Sequence, residues 1–172
     1  MSSPSDAPVR APGSHTRSGN AMARTRTAIL GAAAACVQRD GLRRTTMSGV
    51  SAEGGIAKAT LYNHFRTKSD LLEGLVLARI ADLSAAGTAA AAAGGLAAAL
   101  ETAAAELAAS APLRRLVQDD GGAVAALVVP GQGRAWQAAR DAAAAVLLAA
   151  GAAAAPATVD LVLRWLLAQA VW

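Results

Sequence analysis

The residues best suited to chemistry lie close together between positions 58 and 68 of the 172-residue chain. They combine cations, hydroxyls, an imidazole and an amide with one small residue: Lys58, Ala59, Thr60, Tyr62, Asn63, His64 and Lys68. Arg44 and Thr46 precede them with a further cation and hydroxyl. Lysine and hydroxyl groups bind phosphate oxygens, and an asparagine amide pairs with a base edge in the major groove. The set predicts contacts to double-stranded DNA.

Two short helices joined by a glycine turn must position these side chains. Thr46 is the predicted N-cap of the first helix, in which Met47 and Val50 share one buried stripe. The Gly54-Gly55 pair allows the positive φ that ends this helix. The second helix is predicted over residues 57–64. This arrangement is a helix-turn-helix.

The second helix is predicted to pack on one side and to face DNA on the other. At about 100° per residue, Leu61 and Phe65 share one side, whereas Ala59 and Asn63 lie nearly opposite. Lys58 falls toward the packed side by angle. Its long side chain, in the first turn, can still reach past the helix end to a phosphate.

The sequence Thr60-Leu61-Tyr62-Asn63-His64-Phe65, with Lys68 shortly after it, resembles the DNA-binding signature of the TetR family of bacterial transcriptional repressors. The resemblance covers about residues 25–72. It implies a three-helix N-terminal domain that binds operator DNA as a homodimer, followed by a helix that leads into a regulatory body.

Three positions depart from the family pattern. Ala57 stands where the family usually has a capping Ser, Gly54 where it usually has Ala, and Val37 where the first helix usually carries Phe. A missing cap costs about 1 kcal/mol. We therefore expect a poorly capped second helix and an underfilled core.

The composition predicts an all-α fold. Hydrophobic residues make up 54% of the chain but aromatics only 3%. Alanine dominates the C-terminal half, which favours helices and limits the buried area per residue. Residues 1–70 hold ten Lys and Arg against four Asp and Glu, and residues 71–172 hold six against eight. A basic head on a neutral body fits DNA binding, although scattered surface arginine gives the same counts.

Three segments are predicted along the chain. Residues 1–23 form a disordered basic tail, residues 24–70 the three-helix helix-turn-helix domain, and residues 71–172 an alanine-rich helical domain for effector binding and dimerisation. The first helix is predicted over residues 25–40, with Gly41 at its end.

The remaining helices are delimited by caps and by glycine or proline breaks. Thr67 with Asp70 forms a predicted capping box, and the fourth helix is expected to run to about Ala86 and to end at Gly87. The later helices are predicted over residues 96–110, 113–119, 134–150 and 158–172.

Residues for catalysis or metal binding are scarce. His15 lies in the tail and His64 in the signature, so no histidine pair is available. No strand precedes the Gly131-Gln132-Gly133 sequence, and Asp119-Asp120 fits an exposed turn better than an acid/base pair. We expect no enzyme activity, no cofactor and no metal.

Cys36 is the only cysteine of the chain, so no intramolecular disulfide can form. We expect it to pack in the first helix rather than to sense redox state. The alanine tracts are too weakly hydrophobic to enter a bilayer. We therefore expect a soluble, cytoplasmic protein with no membrane partner.

The C-terminal body resembles the family's regulatory domain in position and helical content. The resemblance implies a small apolar or amphipathic effector held between helices. Bulky residues amid alanine are candidates for its pocket, although such residues more often form plain core: Leu100, Leu107, Leu127 and Trp136.

The last predicted helix is apolar around most of its circumference, with Asp160 and Arg164 as its polar strip. Such a helix must be covered, either by a second subunit or by its own body. We expect a homodimer through residues 158–172, together with 134–150. The candidate interface residues are Val159, Leu161, Val162, Trp165, Leu166 and Trp172.

The sequence is compatible with two functions. The first is a ligand-responsive, dimeric DNA-binding repressor of the TetR type. The second is an effector-binding or protein-interaction module whose DNA-binding head has decayed, which Ala57 and Gly54 favour.

Overall fold

The computed structural model describes residues 14–115, 118 and 133–171, and the side chains of residues 19–115, 118 and 133–169. All regular elements in these ranges are α-helices, which confirms the all-α class. They are α1 (Ser14–Arg44), α2 (Met47–Glu53), α3 (Lys58–His64), α4 (Lys68–Ala109), α5 (Arg134–Ala149) and α6 (Pro156–Val171). Residues 111–115 add a short helical turn after α4.

The helix α1 starts earlier than predicted. It begins at Ser14, so the prediction of disorder is wrong for residues 14–23. The hydroxyls of Thr25 and Thr27 donate to carbonyls one turn earlier, at 3.0 and 3.1 Å. Extending an existing helix costs far less free energy than nucleating a new one. The helix that is packed in the core therefore continues toward the N-terminus as an exposed extension. Gly41 (φ 79°) interrupts the helix where its end was predicted.

The N-terminal core joins α1, α2, α3 and the start of α4. Leu61 and Phe65 enter it from α3 and Leu71 from α4. Its buried members are Ile29, Leu30, Ala32, Ala33, Cys36, Val50, Leu61, Phe65 and Leu71. Because Leu71 and the partly buried Leu75 belong to this core, α4 is anchored in the N-terminal domain.

The helix α4 consists of two arms, residues 68–93 and 96–109, joined at a break. Gly94 and Gly95 have non-helical angles, and φ at Gly95 is 72°. Arg79 Nη2 lies 2.8 Å from Glu106 Oε2, although 27 residues of straight helix would span about 40 Å. The two arms therefore fold back on each other.

Gly87 does not end α4, contrary to the prediction. It is buried inside the first arm, where an added Cβ would lie 3.1 Å from Val146 Cγ2 of α5. The glycine allows close approach of two helices rather than a turn.

The body is completed by α5 and α6, which pack on α4 and on each other. Trp136, Ala143 and Leu147 of α5 meet Val159 and Leu163 of α6 in a second core. Arg140 of α5 also forms an ion pair with Asp160 of α6. The predicted helices at these positions are confirmed, and α6 starts two residues earlier, at Pro156.

By length and composition alone, α4 is apolar enough to cross a membrane. In the structure this helix is broken at Gly94 and Gly95 and packs against α5 and α6.

Candidate nucleic-acid interface

The start of α2 is fixed by its predicted cap. Thr46 has extended backbone angles, and its Oγ1 accepts a hydrogen bond from Gly49 N at 3.0 Å. The residue itself is exposed. An exposed helix N-terminus with free amide groups is suited to a phosphate.

The turn between α2 and α3 is closed by local hydrogen bonds. Gly55 takes a φ of 60°, and Ile56 N donates to Ser51 O at 3.0 Å. Ser51 Oγ donates in return to Ile56 O at 2.6 Å. These bonds hold α3 at a fixed angle to α2.

Gly54 does not leave the core underfilled. A Cβ at this position would lie 2.9 Å from Ile56 Cδ1 and 3.1 Å from Ala32 Cβ, so other side chains already fill the space. Val37 is also fully buried, in a small cluster with Leu42. The expectation of a void is therefore wrong at Gly54.

The first turn of α3 has the predicted weakness. Ala57 occupies the N-cap position and makes no side-chain hydrogen bond to the helix. The first amide groups of α3 therefore lack a capping acceptor from this side chain.

The two sides of α3 differ as predicted. Leu61 of α3 and Phe65, the residue directly after this helix, are buried in the N-terminal core. Thr60 and His64 are half-buried on the flanks of the helix. Four residues with different chemistry form an exposed face: Lys58, Ala59, Tyr62 and Asn63. Tyr62 is 48% exposed, so its phenol is available to a partner.

Lys68 is engaged within the protein. Its Nζ donates to Leu42 O at 2.7 Å and to Arg43 O at 3.3 Å, at the end of α1. The contact spans 26 residues of chain, and no local sequence pattern indicates it. Lys68 thus ties the start of α4 to the end of α1.

The cations near the end of α1 have carboxylate and carbonyl partners. Arg39 binds Asp40 at 2.9 Å and Glu53 at 2.5 Å. Its hydrogen bond holds the pKa of Asp40 below the ordinary value, and the two carboxylates raise the pKa of Arg39. Arg44 is exposed, and its Nε donates to Asp40 O at 2.8 Å.

Sequence reasoning missed one support of this interface. The Arg26 guanidinium lies over the Phe65 ring, 5.1 Å from its centroid. Phe65 is also in close contact with Gly74 of α4. The aromatic residue that follows α3 is thus held by both α1 and α4.

Residues 29–75 match the model of a known family, described as bacterial regulatory proteins, tetR family. The match starts at Ile29, the first core residue of α1, and ends at Leu75 of α4. Residues 29–75 therefore form a DNA-binding domain of the TetR family type. This domain supports a DNA-binding transcriptional regulator, with α2 and α3 as its helix-turn-helix. A comparison with curated proteins gave no match.

An apolar cavity of about 90 Å³ lies between the two arms of α4 and helices α5 and α6. Of the residues predicted for an effector pocket, Leu100 lines this cavity, whereas Leu107 and Trp136 do not. Trp136 is instead buried in the second core, because its position near the start of α5 places it against α6. Leu127 lies outside the described residues.

The predicted dimer residues fall into three groups. Leu161 and Trp165 are 68% and 41% exposed, and Leu148 of α5 is also a large, exposed apolar side chain. Val162 and Leu166 are half-buried and line the apolar cavity. Val159 faces α5 in the second core, so its assignment to the interface is corrected. Trp172 lies outside the described residues.

Cys36 packs inside the N-terminal core, where burial raises the pKa of its thiol. Within residues 14–115, 118 and 133–171, no group of three or more His, Cys, Asp and Glu side chains is placed to hold a metal ion.

Proposed function

We propose that this protein is a cytoplasmic repressor that binds operator DNA as a homodimer and is released by a small apolar or amphipathic effector. The observation that carries the proposal is the exposed face of α3 beside the exposed N-terminus of α2. A rigid helix with one buried side and one face of mixed polar chemistry suits the major groove.

The exposed side chains divide into base-reading and phosphate-binding groups. Ala59 and Asn63 lie at the centre of the face, where close approach and an amide suit base edges, and Thr60 contributes from the flank. Lys58, Tyr62 and Thr46 lie nearer the edges and bind phosphates, with Arg44 as a further cation. Lys68 supports this surface by joining the start of α4 to the end of α1, and His64 lies half-buried on the flank of α3.

The apolar cavity supports the effector part of the proposal. Among the described residues that line it, Ser84 has the only polar side chain, which fits an apolar ligand with one polar group. A cavity of about 90 Å³ is too small for most ligands. An effector would therefore spread α4 away from α5, and α4 also carries Leu71 in the N-terminal core.

The exposed apolar groups of α5 and α6 support the dimer. Leu148, Leu161 and Trp165 are large and solvent-exposed in the single chain. Burying such groups against a second copy would gain about 25 cal/mol per Å² of apolar surface.

A gel-shift assay on the DNA upstream of the coding region tests the proposal. Asn63→Ala should cost about 1 to 3 kcal/mol on the preferred fragment and little on unrelated DNA. Gln137→Ala, an exposed amide on α5, is the matched control and should bind as the wild type does. Equal losses on every fragment would assign Asn63 to the DNA backbone. Binding of the wild type without any preference would instead favour a decayed head.

A further inference from the structure

Phe65 connects the C-terminal end of α3 to two other helices. It is the C-cap residue of α3, and its N donates to Leu61 O at 2.9 Å. The backbone of α3 packs mainly against α2. The Phe65 side chain, which is only 4% exposed, adds contacts from this end of α3 to both α1 and α4.

The Phe65 ring lies between Arg26 of α1 and Gly74 of α4. The Arg26 guanidinium is over the ring, 5.1 Å from its centroid. A Cβ on Gly74 would lie 2.6 Å from Phe65 Cε1 and 3.2 Å from Arg26 Nη2, so the glycine leaves room for both groups. Arg26 is exposed although the ring is buried. A long cationic side chain can cover apolar surface in this way while its charge stays in water.

The contact between Arg26 and the ring is weak in absolute terms but large relative to the other restraints on α3. A cation over an aromatic face is attracted by the ring quadrupole, which changes an equilibrium about two- to fivefold at an exposed site. The helix has only seven residues, and Ala57 supplies no capping oxygen at its start. Its orientation therefore depends on the few side chains that hold its two ends.

We propose that Arg26 is a positioning residue for DNA reading, which holds Phe65 and thereby fixes the orientation of α3 and the place of the Asn63 amide. Asn63 precedes Phe65 by two residues, about 3 Å along the helix axis. Hydrogen bonds to a base edge tolerate only a few tenths of an ångström, so a small tilt of α3 weakens them. The role in operator reading rests on the proposed function, whereas the restraint on α3 does not.

Amide hydrogen exchange of the full chain, without DNA, measures the restraint on α3. Arg26→Gln should speed exchange at the end of α3, including Phe65 N, about two- to fivefold, because this end opens more often. The amides of α5 belong to the second core and should exchange as in the wild type. Arg24→Gln is the matched control, since Arg24 is exposed on the same helix and its Nε donates to Asn20 O. It should leave the exchange of α3 unchanged.

A double-mutant cycle shows whether the effect of Arg26 passes through the ring. Phe65→Leu keeps an apolar side chain but removes the aromatic face. The rise in the unfolding equilibrium constant caused by Arg26→Gln should be about two- to fivefold smaller in the Phe65→Leu background than in the wild type. The effect of Arg24→Gln should be the same in both backgrounds. The exchange measurement needs no change at Phe65, so it decides the question even if Phe65→Leu folds poorly.

Gel shifts over a range of salt concentrations test the consequence for DNA reading. Arg26→Gln should weaken binding to the preferred upstream fragment about two- to fivefold for each bound helix-turn-helix. Its affinity for a duplex of unrelated sequence and its log-log salt slope should equal those of Arg24→Gln. A guanidinium that binds a phosphate would instead weaken both duplexes and lower the slope by about 0.9.

Three results would overturn the proposal. They are equal exchange at the end of α3 in Arg26→Gln and Arg24→Gln, a salt slope lowered by about 0.9 in Arg26→Gln alone, and faster exchange without any loss of preference for the upstream fragment. A wild type that prefers no fragment would contradict the proposed function and the DNA-reading role together. The exchange measurement would still decide whether Arg26 restrains α3, so the two failures are distinguishable.

Discussion

The ammonium of Lys68 joins two helix ends. Lys68 is the first residue of α4, and a cation is unfavourable at the N-terminus of a helix. Its Nζ instead donates to two carbonyls at the C-terminal end of α1, where a cation is favourable. Those carbonyls have no partner within their own helix. The position of α4 relative to the helix-turn-helix therefore depends on this side chain.

Lys68→Met should lower the free energy of unfolding by about 1 to 2 kcal/mol, because two carbonyls lose a charged donor at a half-buried site. Lys58→Met, on the exposed face of α3, is the control and should change stability little. Urea unfolding followed by circular dichroism measures both. A Lys68→Met variant as stable as the wild type would show that the ammonium does not hold the helices together.

Single residues were predictable from the sequence where their partners are close in the chain. The caps at Thr46 and Thr67 bind amides three residues ahead, so the pattern of residue types reveals them. Lys68 contacts residues 25 and 26 positions earlier, and Arg26 contacts Phe65 across 39 positions. Such contacts depend on the packing of helices, which no local spacing encodes.

At the scale of elements, α3 is short and its first turn is weakly capped. It has seven residues, and Ala57 offers no acceptor for its amides. Isolated helices of this length are unstable, so tertiary packing through Leu61 and the turn at Ser51 must hold it.

Ala57→Ser should stabilise the protein by about 0.5 to 1 kcal/mol, because Ser supplies the missing capping oxygen. The comparison variant is Ala59→Ser, which places the same hydroxyl inside α3, where it should be neutral or slightly destabilising. Differential scanning calorimetry gives the Tm of each. The account of the cap is wrong if Ala57→Ser lowers the Tm as Ala59→Ser does.

Two helical glycines should respond in opposite ways to the same change. At Gly74 an added Cβ would lie 2.6 Å from Phe65 Cε1, whereas at Gly31 nothing lies within 4 Å. Gly74→Ala should therefore destabilise by about 1 to 3 kcal/mol through overpacking. Gly31→Ala should stabilise by up to about 1 kcal/mol through helix propensity. Chemical unfolding that gave the same sign for both would contradict the packing described at Phe65.

The elements themselves were largely predictable because their periodicity and caps are local. The exceptions have nonlocal causes. In the sequence Gly87 resembles the end of a helix. In the structure it lies inside α4, and Val146 of α5, 59 residues later in the chain, packs against it. The extension of α1 to Ser14 follows from propagation out of a packed helix, which composition does not reveal.

In the whole molecule, the two hydrophobic cores stabilise different groups of helices. The N-terminal core fixes the helix-turn-helix, and the second core pairs α5 with α6 while α6 keeps Leu161 and Trp165 exposed. The all-α class and the order of helices followed from the sequence. The cavity and the exposed patch required the structure, because alanine-rich helices give little sign of which face is covered.

Trp165→Glu should shift the protein from dimer to monomer, because it places a charge in the exposed patch expected to be covered by a second copy. Gln169→Glu adds the same charge at an exposed polar position of α6 and should leave the dimer intact. Sedimentation equilibrium at micromolar concentration measures both. A wild type that is already monomeric, with no effect of Trp165→Glu, would rule out this interface.

Footprinting of the purified protein on its own upstream DNA shows directly whether the exposed face of α3 reads an operator. We expect two protected half-sites related by twofold symmetry, with centres one helical turn or a multiple of about 10 base pairs apart. Asn63→Ala should lose this pattern at protein concentrations where the wild type protects fully. Uniform protection of all DNA, or a pattern that Asn63→Ala leaves unchanged, would contradict the claim that the exposed face of α3 reads an operator.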